Sequence, residues 1–129
     1  MKNAIKLLSI CLLFLISACD KDEDKLDTNT LPGKWKLMES YVVTGGYGDW
    51  RQQNSDLIVE FKDDGTLAGN AYAAYVSYTR KDSHVLIFKA ADGAEQEYNY
   101  ELRDGKLRLS PNGPIMCIEG CGQGFVKVK

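Results

Sequence analysis

Residues 95–110, Glu95-Gln96-Glu97-Tyr98-Asn99-Tyr100-Glu101-Leu102-Arg103-Asp104-Gly105-Lys106-Leu107-Arg108-Leu109-Ser110, decide the fold. Tyr98, Tyr100 and Leu102 alternate with Glu97, Asn99, Glu101 and Arg103. A period of two puts apolar side chains on one face of an extended strand and polar ones on the other. Asp104-Gly105 is a two-residue hairpin turn, and Leu107 and Leu109 carry the alternation back along a second strand.

The same pattern extends in both directions. From Gly33 to Val43, Trp35, Leu37, Glu39, Tyr41 and Val43 share one face, with Lys34, Lys36 and Ser40 mostly on the other. Thr44 to Asn54 reads as a loop holding Gly45, Gly46, Tyr47, Gly48 and Trp50. Leu57, Val59 and Phe61 then alternate with Glu60 and Lys62 up to Asp63-Asp64-Gly65-Thr66, a turn in which Gly65 can take positive φ. A strand returns from Thr66, and Ala71 to Arg80 and His84 to Lys89 read as the next two, with turns at Lys81-Asp82-Ser83 and Ala91-Asp92-Gly93. Downstream of Pro111-Asn112-Gly113-Pro114 come a strand from Ile115 to Glu119, a glycine-rich stretch through Gly124 and a last strand from Phe125 to Val128. No stretch of helical period is long enough for a sizeable helix. About eight short strands joined by tight turns predict an all-β antiparallel up-and-down meander. Closing it into a barrel removes the exposed edges, while a β-sandwich fits the same pattern.

At 129 residues the chain is one domain, and its net charge of −2 without a basic cluster excludes nucleic acid as a partner. Lys2 and Lys6 precede an uncharged run from Leu7 to Ala18 that ends in small residues, which reads as an export signal. The run falls short of the ~20 residues that a membrane-spanning helix needs. Leu15-Ile16-Ser17-Ala18-Cys19 resembles the lipobox of bacterial lipoproteins. That resemblance implies a signal peptide over 1–18 and a mature chain whose Cys19 carries diacylglycerol on its thiol and a further palmitate-like chain on its amine. Such a set of chains anchors a protein stably in a membrane. An ordinary signal peptide ending near a cysteine is the alternative.

Residues 19–30 then form a lipidated acidic tether. Asp20, Asp22 and Asp24 match the start of a calcium loop, but Lys25 and Leu31 stand where Gly and Glu are required. Lys21-Asp22-Glu23 resembles instead the signal that sends lipoproteins of the Bacteroidota to the outer cell surface. The expected address is an outer-membrane lipid anchor, surface-exposed, with a periplasm-facing one as second choice. Cys11 leaves with the signal, so Cys117 and Cys121 remain in an oxidising compartment, where a disulfide is expected. Residues four apart in a strand lie ~13 Å from each other, beyond disulfide reach, so the chain must turn, and Gly120 permits it. A zinc site with His84 as third ligand is the alternative.

Gly33-Lys34-Trp35, Phe61-x-x-Asp64-Gly65 and Cys117-Ile118-Glu119-Gly120-Cys121-Gly122 are similar to segments of the small lipocalin-like lipoproteins of Bacteroidota, over residues 31–129. The resemblance implies a lipocalin-like barrel in which Gly33, Trp35 and Gly65 are structural. Trp35 would close one end beneath a basic residue of the last strand, here Lys127, and the first connection would form a lid over the open end. The Thr-Asp-Tyr turn and final arginine of lipocalins are absent.

Catalysis needs converging proton-transfer or nucleophilic groups. His84 stands alone, no Gly-x-Ser-x-Gly elbow occurs, and Gly45-Gly46-Tyr47-Gly48 precedes a strand where a phosphate-cradling loop would precede a helix. No enzyme and no cofactor are expected. The expectation is a monomeric binding protein for a small apolar or amphipathic ligand, contacted by Glu39, Tyr41, Tyr47, Trp50 and Arg51, because loop aromatics beside an arginine suit such ligands. Glu39 shares the parity of Trp35 and Leu37, so its carboxylate either faces a cavity or is turned outward by a strand bulge. The loop aromatics could equally pack on the barrel itself. The alternative function is a non-enzymatic module with a filled barrel that contacts a protein or glycan. Replacing Cys19→Ala is expected to move the protein from the membrane to the soluble fraction; continued membrane retention after cell fractionation overturns the lipobox reading.

Overall fold

The computed structural model describes residues 26–118 and 120–129. The signal segment, Cys19 and the tether through Lys25 lie outside the described residues. Among those described are nine β segments: β1 (Gly33–Thr44), β2 (Tyr47–Gln52), β3 (Ile58–Phe61), β4 (Leu67–Gly69), β5 (Tyr75–Arg80), β6 (Val85–Ala90), β7 (Glu95–Arg103), β8 (Lys106–Gly113) and β9 (Gln123–Val128). All pairings are antiparallel, in the order β4-β3-β1-β9-β8-β7-β6-β5. β2 and β3 lie end to end along the same edge of β1, so the nine segments make eight staves. The outermost strands meet through the Thr66–Ser77 bridge and the Tyr78 N–H donating to Gly65 O at 2.9 Å. The predicted meander is a nearly closed barrel. Among the described residues no helix is long and apolar enough to cross a membrane.

The hairpin that decides the fold forms as its residues dictate. Asp104 and Gly105 both take positive φ, 52° and 72°, the turn whose twist matches the flanking strands. Tyr98 pairs across the sheet with Pro111, Tyr100 with Leu109 and Leu102 with Leu107. Trp35, Leu37, Val59, Phe61, Leu67, Leu86, Phe88, Leu107, Leu109 and Phe125 fill the interior, nearly all of them fully buried. Aromatic rings close the upper half: Phe88 and Tyr98 lie 4.6 Å apart between centroids, and Tyr72 meets them edge-on at 5.2 and 5.3 Å.

Three expected segments differ. Thr44–Asn54 is a hairpin rather than a loop, because Gly45 and Gly46 turn with positive φ and β2 pairs along β1 from Tyr47 to Gln52. The expected strand from Ala71 begins only at Tyr75. Asn70 accepts the Ile58 N–H on its side chain and, with Ala71, donates to Ile58 O, which ends β4 and packs Ala71 and Tyr72 against the core while Ala73 and Ala74 stay exposed. The expected strand from Ile115 is a loop, since the Cys117–Cys121 disulfide brings those Cα atoms to 5.7 Å. Both thiols are therefore engaged with each other and not with a metal.

One end is sealed by the first strand and the last. Trp35 is fully buried and donates its indole N–H to Leu31 O at 2.8 Å, while the Lys127 ammonium lies 5.2 Å from the ring centre. Lys127 also donates to Asp27 O and to Thr30 O. Burial holds its ammonium below the usual lysine range, partly offset by the nearby Asp27 carboxylate. Gly33 is required here by its φ of 132°, a conformation that L side chains rarely adopt, and the Lys127 side chain lies across the space a Cβ would take. Asp27 and Thr30, upstream of Leu31, thus also touch the barrel through Lys127. Trp35→Ala is expected to destabilise the fold by about 3–5 kcal/mol in denaturant titration, the usual cost of emptying a large buried aromatic site; a loss under ~1 kcal/mol overturns its role as the plug.

Candidate functional site

The outer wall beside β9 is shaped by what is missing. Gly120, Gly122 and Gly124 share one parity and leave a furrow. A Cβ on Gly124 would collide with the Glu39 side chain, one on Gly122 with Trp50 and Tyr41, and one on Gly120 with Tyr41 and Val43. Glu39 lies in this furrow because β1 bulges between Leu37 and Glu39 against β9, which inverts parity from that point. Its partners prove the direction: Lys106 and Arg108 alternate with buried Leu107 and Leu109, so they and Glu39 are on the outside. Glu39 is thus no cavity contact, and the bulge is the reason.

The carboxylate is nonetheless only 3% exposed. Arg108 donates through Nε and Nη2 at 3.2 and 3.1 Å to Oε1, while Lys106 Nζ at 3.1 Å and Gln52 Nε2 at 3.4 Å reach Oε2. Desolvation by burial pushes the carboxyl up, but the hydrogen bonds and charges of Lys106 and Arg108 outweigh it and hold the acid below the usual range. Above this clamp the Arg108 guanidinium sits 4.2 Å from the Trp50 ring centre, and Tyr41 meets Trp50 at 5.4 Å. The aromatics of β2 therefore pack on the barrel's own wall.

The five expected ligand contacts divide accordingly. Glu39, Tyr41 and Trp50 gather on the outer wall, with Tyr41 also bordering the barrel mouth. Tyr47 stands 85% exposed at the hairpin tip, and Arg51 donates to Thr44 Oγ1 at 3.2 Å, away from both. β2 does not cover the mouth as a lid, because its backbone is bound in plane to β1.

The mouth is a separate concavity of about 390 Å³, lined by Ser40, Tyr72, Tyr98, Pro111, Cys121 and Gln123 among others. The Tyr72 hydroxyl donates to Gln123 Oε1 at 2.6 Å, and burial raises both tyrosine hydroxyls well above the ordinary range, so they stay protonated. The rim is rigid on two counts. Gln96, itself buried, accepts from Ile115 N–H at 3.0 Å and donates to Ile115 O at 2.9 Å, and the disulfide closes the loop beyond. Sequence reasoning missed this constellation: alternation placed Tyr98 on the apolar face, but Ser40 and Gln123 carry no local signal and Tyr72 is aimed by the Asn70 turn. Among the described residues no set of three His, Cys, Asp or Glu could hold a metal ion.

No protein-family model matches the chain, and no curated protein matches it.

Glu39→Gln is expected to cost about 1–3 kcal/mol at neutral pH, since it leaves Lys106 and Arg108 uncompensated at a partly exposed site. The folded-state pKa is depressed, so the stabilisation is present above the unfolded carboxyl pKa and is lost as pH falls through the folded one. Urea titrations of both proteins should accordingly converge in acid; a gap that persists at pH ~2 overturns the ionic account.

Proposed function

We propose that this chain is a membrane-anchored, lipocalin-like lipoprotein that binds a small amphipathic ligand in the cup at its barrel mouth. The cup carries the proposal: about 390 Å³ is within the range of small-molecule sites, and it combines tyrosine faces with a few fixed polar groups. The filled barrel below limits the ligand to a shallow seat, so part of it stays in solvent and a polar end is tolerated. Asp27 docks at the opposite end of β1 from the cup, so an anchor at Cys19 directs the open mouth away from the membrane. The protein acts as a monomer, without a cofactor and without catalysis.

A filled-barrel interaction module is the second reading, favoured by Ile115, Met116 and Ile118, exposed at 68, 64 and 97% on the disulfide loop. An amphipathic fluorescent dye such as anilinonaphthalene sulfonate separates the two. It is expected to bind the native protein with saturation and to be blocked by Ser40→Trp, which fills the cup, with circular dichroism unchanged. Dye binding unaffected by Ser40→Trp, or no saturable binding, overturns the cup as the ligand site.

A further inference from the structure

A second concavity, larger than the mouth, lies on the outer wall over β7 and β8. It measures about 480 Å³, with Trp50 as one wall, His84 as the other, and Asn99, Glu101, Arg108 and Ser110 between them. The mouth reading makes no use of it.

Its aromatic wall is held in place before any ligand arrives. Arg108 stacks on the Trp50 ring, and Gly122 lies close enough that an added Cβ would sit 2.7 Å from the indole edge. Arg108 cannot easily leave, because two of its N–H groups are bonded to the buried Glu39 carboxylate. Such preorganisation lowers the ordering cost of binding. The groove also keeps hydrogen-bonding atoms uncommitted. Among the described residues the Trp50 indole N–H and the Ser110 hydroxyl have no hydrogen-bond partner. Asn99 uses only its NH₂ group, toward Asn112, and leaves its carbonyl oxygen free.

Charge narrows the ligand class. The two ionised side chains that line the groove, Arg108 and Glu101, are of opposite sign and sum to zero. A groove without net charge does not select anions or cations. A fixed indole, a planar amide and a free hydroxyl around a neutral concavity match a ligand with apolar C–H faces and hydroxyls at its edges. We propose that this groove is a binding site for a neutral saccharide, independent of the ligand in the mouth.

Nuclear magnetic resonance titration of the full chain in detergent, with cellobiose, maltose and diacetylchitobiose, tests this. At least one sugar is expected to shift the Trp50 indole and Asn99 side-chain signals at millimolar concentration. Asn99→Ala combined with Ser110→Ala should weaken that sugar by about tenfold or more, two hydrogen bonds' worth, while dye binding at the mouth is retained. Ser40→Trp should leave the sugar affinity unchanged. Asn99 is exposed and Ser110 half-buried, and neither belongs to the core, so the double variant keeps the fold. The proposal is overturned if none of the sugars perturbs these signals, if the double variant binds as the native protein does, or if only sulfated or phosphorylated analogues bind.

Discussion

The ladder between β1 and β9 is the constraint on which the rest of this molecule depends. An open eight-stave sheet would expose two edges of unpaired N–H and C=O groups and leave its apolar face half covered. Pairing the first strand with the last, together with the bridge between the outermost strands at Thr66 and Ser77, removes this problem and brings together residues far apart in the chain: Lys127 over Trp35, and Gly124 and Gln123 beside Glu39 and Ser40. The sealed end, the furrow and the mouth cup are each built on that one seam. The seam tolerates a bulge because β9 offers a glycine opposite it, and a side chain at Gly124 would collide with that of Glu39.

The Glu39 clamp shows how a charge comes to be buried on the outside of a barrel. Its shielding comes from the neighbouring side chains rather than from the core, since Lys106, Arg108 and Gln52 close over it while themselves remaining part-exposed. The arrangement fastens β2 through Gln52 and Trp50 to β8, three strands away in the sheet, so the hairpin lies down on the wall and does not project over the mouth. That leaves the mouth to be bounded by Tyr72 and by the disulfide loop. Both bounding elements are short and internally cross-bonded, which favours a fixed cup over a swinging lid.

The two concavities differ in kind. The cup sits on an aromatic floor with two protonated tyrosine hydroxyls, suited to a ligand that is mostly apolar. The outer groove is polar, neutral overall and walled by a braced indole. Their linings have Leu109 and Gly122 in common and otherwise differ.

Alternation with a period of two was enough, by itself, to specify strands beginning near Gly33, Leu57, Glu95 and Lys106 and, up to the bulge after Leu37, the apolar faces that became the core, because in a half-buried strand that periodicity is the physical signal. Turn chemistry likewise marked Asp104-Gly105 and Gly65, where only backbone conformation matters. Barrel closure, the inversion of Glu39, the partners that neutralise it, the seating of Trp50 on Arg108 and the aim of Tyr72 were decided by tertiary structure alone. The reason is that strand pattern records which face a residue occupies but not which strand lies beside it, and a single extra residue at a bulge exchanges the two faces without leaving a mark in the sequence.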